Sequence, residues 1–101
     1  MTRAQVSVLD WNPYDPAWLV ALAREQHAHL PWLADALEAC TRAAWESHAY
    51  VHFVDPADAN QPGSAWQFEE NLVLEHPREG TIVLDILHGQ RIGGAEFLTH
   101  L

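Results

Sequence analysis

Hydrophobic positions along this chain change period near its middle. Between Pro16 and Ser47 they recur at helical spacing, and from Tyr50 to Leu98 they alternate. Asp15 followed by Pro16 is a helix-start signal, and Leu19, Leu22, Ala23, Gln26 and Leu30 fall on one face of the helix it opens. Pro31 opens a second helix. There Leu33, Leu37, Cys40, Ala44 and Ser47 form an apolar stripe opposite Asp35, Glu38, Arg42 and Glu46. The break at Leu30-Pro31 predicts an antiparallel helical hairpin or a sharp kink.

Tyr50-Val-His-Phe-Val54 is β-branched and aromatic and predicts a strand. Asp55 to Ala65 is the longest loop, and Trp66, Phe68, Leu72 and Leu74 alternate as the next strand. His76 to Gly80 turns the chain into a final hairpin. A short strand is expected around Val6 to Leu9, with a turn-like segment from Asp10 to Asp15. The fold class is therefore α+β, one domain over residues 1–101. An N-terminal helical hairpin packs on a three- to four-stranded antiparallel meander in two layers.

The last hairpin carries the strongest pattern. With Gly89-Gln90 as a two-residue loop, His88 faces Arg91, and glycine at the first loop position suits a type II′ turn. That register sets Ile82 opposite Phe97, Leu84 opposite Ala95 and Ile86 opposite Gly93. Ile82, Leu84, Ile86, Ala95 and Phe97 make a core face, and a one-residue slip would put Glu96 among the isoleucines. The other face reads Val83, Asp85, Leu87, Ile92, Gly94, Glu96 and Leu98. Two helices cover one face of a small sheet, so this second, partly apolar face predicts a homodimer.

Leu84-Asp85, Arg91-Ile92, Gly94, Glu96 and Phe97-Leu98 also resemble the C-terminal hairpin of a small bacterial domain family of unknown function. Its members end in an Asp-x-Asp-turn-Gly-Ile-Glu-Ile-Leu signature. Leu87 stands in place of the second Asp, the turn glycine comes one position early at Gly89, and Ala95 replaces Ile. The resemblance spans roughly Trp66 to Leu98 and implies a shape and a bacterial setting, with no activity attached.

Composition narrows the function classes. Hydrophobic residues are 49% and charged residues 19% of the chain, which excludes intrinsic disorder. Fourteen acidic residues against five basic ones, all arginine, give a net charge of −9. No three basic residues cluster, so the sequence argues against nucleic acid and anionic membranes as partners and for a basic protein. No apolar run approaches the ~20 residues of a membrane span. No basic, then apolar, leader opens the chain, and the single Cys40 forms no internal disulfide. A cytoplasmic protein is the expectation.

Candidate chemistry is sparse. Of the seven histidines, His27 and His29 would stand roughly 200° apart on a helix. His48 and His52 would be about 13 Å apart on a strand, so neither pair predicts a metal site. No Gly-x-Ser-x-Gly elbow surrounds Ser7, Ser47 or Ser64, and Gly93-Gly94 lies inside a strand rather than before a helix. No catalytic residue and no cofactor are assigned. Asp85 and Glu96 are diagonal neighbours at about 7–8 Å on one hairpin face, a spacing that suits an inverting glycosidase or a cation site, although a carboxylate pair on a wet strand face more often serves solvation. Five tryptophans are several times the usual share, and Trp45 falls outside the apolar stripe of the second helix.

The leading expectation is a non-enzymatic acidic protein-binding module, immunity- or antitoxin-like in size and charge. Its contact residues would be Trp45, Glu38, Glu46, Asp85 and Glu96, with the Asp55 to Ala65 loop at the rim. The alternative is a small-ligand or metal-binding protein, or a minor hydrolase, built from Asp85, Glu96, His52 and His48.

Overall fold

The computed structural model describes residues 9–101. Its elements are β1 (Asn12–Pro13), α1 (Ala17–Gln26), α2 (Pro31–Glu38), β2 (Arg42–Trp45), β3 (Tyr50–His52), β4 (Phe68–His76), β5 (Gly80–Leu87) and β6 (Arg91–Phe97). A 3₁₀ turn over Leu98–His100 follows. The strand expected around Val6 lies outside the described residues. No described helix is long and apolar enough to cross a membrane.

The α+β class with an antiparallel sheet holds, and the finer architecture differs from expectation. Among the described residues the sheet has six strands in the order β1-β2-β3-β6-β5-β4, not three or four in a meander. The helices do not open the fold as an N-terminal hairpin. They are inserted between β1 and β2, which pair with each other through Asn12–Ala43 and Pro13–Arg42. The first helix starts near the expected place but one residue later, with Pro16 at the N-cap. Asp15 Oδ1 accepts the Ala17 N–H at 3.0 Å from just before it.

The second helix ends at Glu38, and the helix-compatible run Arg42-Ala-Ala-Trp45 is strand β2. Pairing on both sides, with β1 and β3, supplies ladder hydrogen bonds that outweigh a weak local helical preference. Ala44 and Ser47 therefore leave the helical stripe, whereas Leu33, Leu37 and Cys40 remain buried as expected.

The last strand in the chain, β6, sits between β3 and β5 in the middle of the sheet. Its residues Ile92 to Ala95 are all buried, and its two glycines let neighbouring strands and side chains close over it. The far edge falls to β4, whose Phe-Glu-Glu-Asn opening is exposed, with an irregularity between Phe68 and Glu70. Charge and a bulge are common protections of an edge. Gln26 adds another: its Nε2 donates to the Glu75 carbonyl at 2.7 Å, and its Oε1 accepts the Glu75 N–H at 2.8 Å. Nε2 of His27 donates to the Val73 carbonyl at 2.8 Å. Gln26→Ala is expected to lower stability by about 1 kcal/mol, since water re-solvates the freed edge groups, and to raise association of the protein. A urea midpoint and concentration-dependent light scattering check this; unchanged scattering would show that the glutamine does not guard the edge.

In the final hairpin the expected register holds from Ile82–Phe97 to Asp85–Gly94 and then shifts. Ile86 pairs with Ile92 and Leu87 with Arg91, leaving Gly93 as the extra residue. The loop is therefore His88-Gly89-Gln90, three residues rather than the expected two, so His88 does not face Arg91. Positive φ at both Gly89 and Gln90, 83° and 57°, rules out the expected type II′ turn. The Gly93 carbonyl accepts the N–H groups of both Phe53 and Val54, at 2.9 and 3.1 Å. The extra residue shifts the alternation by one on the turn side of the bulge, so side chains there point to the opposite face from that expected. Ile92 consequently joins the core beside Ile86 rather than the opposite face.

The core is Leu19, Val20, Ala23, Leu33 and Leu37 from the helices against Leu74, Ile82, Leu84, Ile86, Ala95 and Phe97 from the sheet. Each large aliphatic side chain so buried contributes about 1.5–3 kcal/mol.

Candidate functional site

Both helices lie on the core face, so among the described residues the other face of the sheet is bare except where the 55–67 loop folds over one end. Asn60 holds that loop: in left-handed conformation at φ 59°, it accepts the Phe68 N–H through Oδ1 at 2.6 Å. Val54, Pro56, Ala59 and Asn60 then cover Leu87 and Gly93. Leu87 is thereby buried and Ile92 is in the core, so the apolar content of this face is smaller than the sequence pattern predicts. Phe68 and Val73 stay well exposed, at 48% and 41%, and Val73 pairs with the half-buried Val83.

Across the bare face runs a continuous polar chain. Glu46, just past β2, takes a hydrogen bond from His52 Nε2 at 2.7 Å. The His52 ring meets the Tyr50 ring edge-on, with centroids 4.8 Å apart. The Tyr50 hydroxyl donates to Asp85 Oδ2, and Asn71 Nδ2 donates to Asp85 Oδ1 at 2.7 Å. Glu96 stands opposite Tyr50 in the β3–β6 register. Burial raises the Tyr50 phenol, and its bond to Asp85 and the carboxylates of Asp85, Glu46 and Glu96 push it further up. Tyr50 is a neutral donor at any ordinary pH, a positioning group and not a nucleophile.

Gly94 makes this arrangement possible. A Cβ there would stand 2.5 Å from the Tyr50 hydroxyl oxygen and 2.6 Å from the Val51 carbonyl oxygen. Sequence reasoning missed Tyr50, Asn71 and Gly94. The available signal was a pair of glycines inside a strand, which marks close approach by a neighbouring group.

The residues expected to form one surface divide between two. Glu46, Asp85 and Glu96 share the bare face. Glu38 is on the helical layer, where it meets Arg24 at 3.5 Å. Trp45 is 47% exposed, and its ring lies 5.6 Å from that of the core residue Phe97. It forms one wall of a cleft of about 400 Å³ with Trp18, His76, Phe97 and His100. Of the alternative set, His52 joins Asp85 through Tyr50, while His48 lies in the turn before β3, its carbonyl accepting His100 Nδ1 at 3.0 Å. His27 and His29 follow α1 instead of lying within it, and their ring centroids are 5.9 Å apart. Among the described residues no three His, Cys, Asp or Glu side chains gather as metal ligands would.

Cys40 is buried just beyond α2, its thiol donating to the Ala36 carbonyl at 3.5 Å. Burial pushes that thiol up to about 12, against the lowering pull of Arg91, so it is unreactive at neutral pH.

No family model matches the chain, and no curated protein or solved structure is significantly similar to it.

Proposed function

We propose that this chain is a non-enzymatic protein-binding module whose bare sheet face receives a basic protein partner. The observation that carries the reading is the joint placement of Glu46, Asp85 and Glu96 around Tyr50 and His52, with Phe68, Val73 and Val83 alongside. Aromatic and aliphatic contacts with charge at their margin are the usual make-up of a recognition surface. Net charge of −9 steers a basic partner toward it. Both Asp85 oxygens are already engaged by Tyr50 and Asn71, which favours binding over acid–base chemistry there. An inhibitor of a basic nuclease, immunity- or antitoxin-like, is one concrete form of this function.

The test is a titration of isotope-labelled protein with a lysine- and arginine-rich peptide, followed by amide chemical shifts. Shifts should concentrate on β3, β5 and β6 and fade with salt. Glu46→Gln and Glu96→Gln should each weaken binding roughly threefold to tenfold, while Glu38→Gln on the helical side leaves it unchanged. Equal losses from all three would reduce the interaction to general acidity and overturn the assignment of the face.

A symmetric homodimer through the same face is the second reading, favoured by the adjacent Val73 and Val83 and the exposed Phe68. Solution mass by light scattering separates the two: the basic-partner reading expects a monomer, and a dimer disrupted by Val73→Glu would support self-association.

A further inference from the structure

On the side of the molecule where β1, β2 and the 55–67 loop meet is a cleft of about 410 Å³ lined by Trp11, Arg42, Asp55, Asp58, Trp66 and Arg91. Two of the chain's five basic residues converge there. Each guanidinium lies over an indole: Arg42 over Trp11 at 5.8 Å from the ring centroid, and Arg91 over Trp66 at 4.5 Å. A cation–π contact of this kind holds the charge against the cleft wall while leaving N–H groups able to meet a carboxylate. Among the described residues, neither arginine and neither aspartate forms an ion pair, although all four line one cleft.

Two cations and two anions that share a cleft without pairing describe a site that is neutral overall yet divided in sign. A phosphate or a dicarboxylate would gain the arginines and be repelled by the aspartates, and a simple amine would meet the reverse. A ligand bearing one carboxylate and one ammonium group satisfies both. We propose that this cleft binds a small zwitterion of α-amino-acid chemistry, its carboxylate taken by Arg42 and Arg91 and its ammonium by Asp58 and Asp55. The indoles and Phe53, also on the wall, favour an apolar or aromatic side chain on that ligand. Sequence reasoning could not find the site, because its six residues are spread from position 11 to position 91.

The experiment titrates the full chain with L-phenylalanine and with its two half-ligands, 3-phenylpropionate and phenethylamine, following the Trp11 and Trp66 indole N–H resonances. The zwitterion should shift both resonances saturably, with each half-ligand binding at least tenfold more weakly. Arg91→Gln and Asp58→Asn should each cost at least fivefold in affinity for L-phenylalanine. Asp58 is exposed in the loop, so its variant keeps the test valid should Arg91→Gln fail to fold. Phenylpropionate binding as tightly as phenylalanine would make the cleft a plain anion site, and equal binding of phenethylamine a plain cation site. Either result, or the absence of saturable shifts with phenylalanine, overturns the proposal.

Discussion

Replacing Gly94 by alanine is expected to destabilise the protein by about 2–4 kcal/mol, lowering the thermal midpoint by roughly 10–20 °C. The cause is steric. The added methyl would lie 2.6 Å from the Val51 carbonyl oxygen, a backbone atom that moves only if β3 and β6 separate, and 2.8 Å from Tyr50 Cζ. Tyr50 would have to swing out, breaking its bond to Asp85 and uncoupling the polar chain across the bare face. Gly93→Ala is the internal comparison. Its nearest neighbours are side-chain carbons of Leu87, at 3.1–3.2 Å, which can turn aside at smaller cost. Thermal melts of the two variants decide the matter: if Gly93→Ala proves the more damaging, the close packing of Tyr50 over β6 is not what holds this face. Peptide binding by any folded Gly94→Ala protein should fall as well, since the Tyr50-centred arrangement is what the proposed partner meets.

A second large effect is expected in alkali. In the unfolded chain the Cys40 thiol ionises at its ordinary value of 9.0, whereas burial in the fold pushes it up to about 12. Below pH 9 both states hold the proton and the stability is intact. As pH rises from 9 toward 12 the unfolded state releases its proton while the folded state retains it, so stability drains away through that window. Full separation of the two values corresponds to on the order of 4 kcal/mol, a large fraction of what holds a domain of this size together. Tyr50 and Tyr14, both raised chiefly by burial, act in the same direction from about pH 10. Urea unfolding at pH 8, 9.5 and 11 should therefore show a steep loss, and Cys40→Ala should lose less between the first and last points. Parallel profiles for the two proteins would show that the thiol does not drive the alkaline transition.

The two functional proposals use different parts of the molecule and fail independently. The bare face depends on Gly94, Tyr50 and the carboxylates around them, whereas the zwitterion cleft depends on arginines anchored by indoles at the β2 side and the loop. Trp45, the aromatic singled out most readily from the sequence, belongs to neither. It walls a separate cleft with Trp18 and His100 over Phe97.

Local pattern by itself determined the parts of the structure whose physics is local. Asp15 and Pro16 announced the first helix because an acceptor side chain before a fixed φ satisfies the opening N–H groups. Alternation from Ile82 to Phe97 placed Ile82, Leu84, Ile86, Ala95 and Phe97 in the core, because a slip of one residue would bury Glu96. Only the tertiary structure decided the rest. Arg42 to Trp45 is a strand because β1 and β3 flank it, and nothing within those four residues records that. Ile92 is a core residue because Gly93 bulges to satisfy Phe53 and Val54. The polar chain from Glu46 to Asn71 and the cleft between Trp11 and Arg91 bring together residues far apart in the chain. Strand order brings those residues together, and strand order depends on the summed packing of the whole sheet rather than on any one segment.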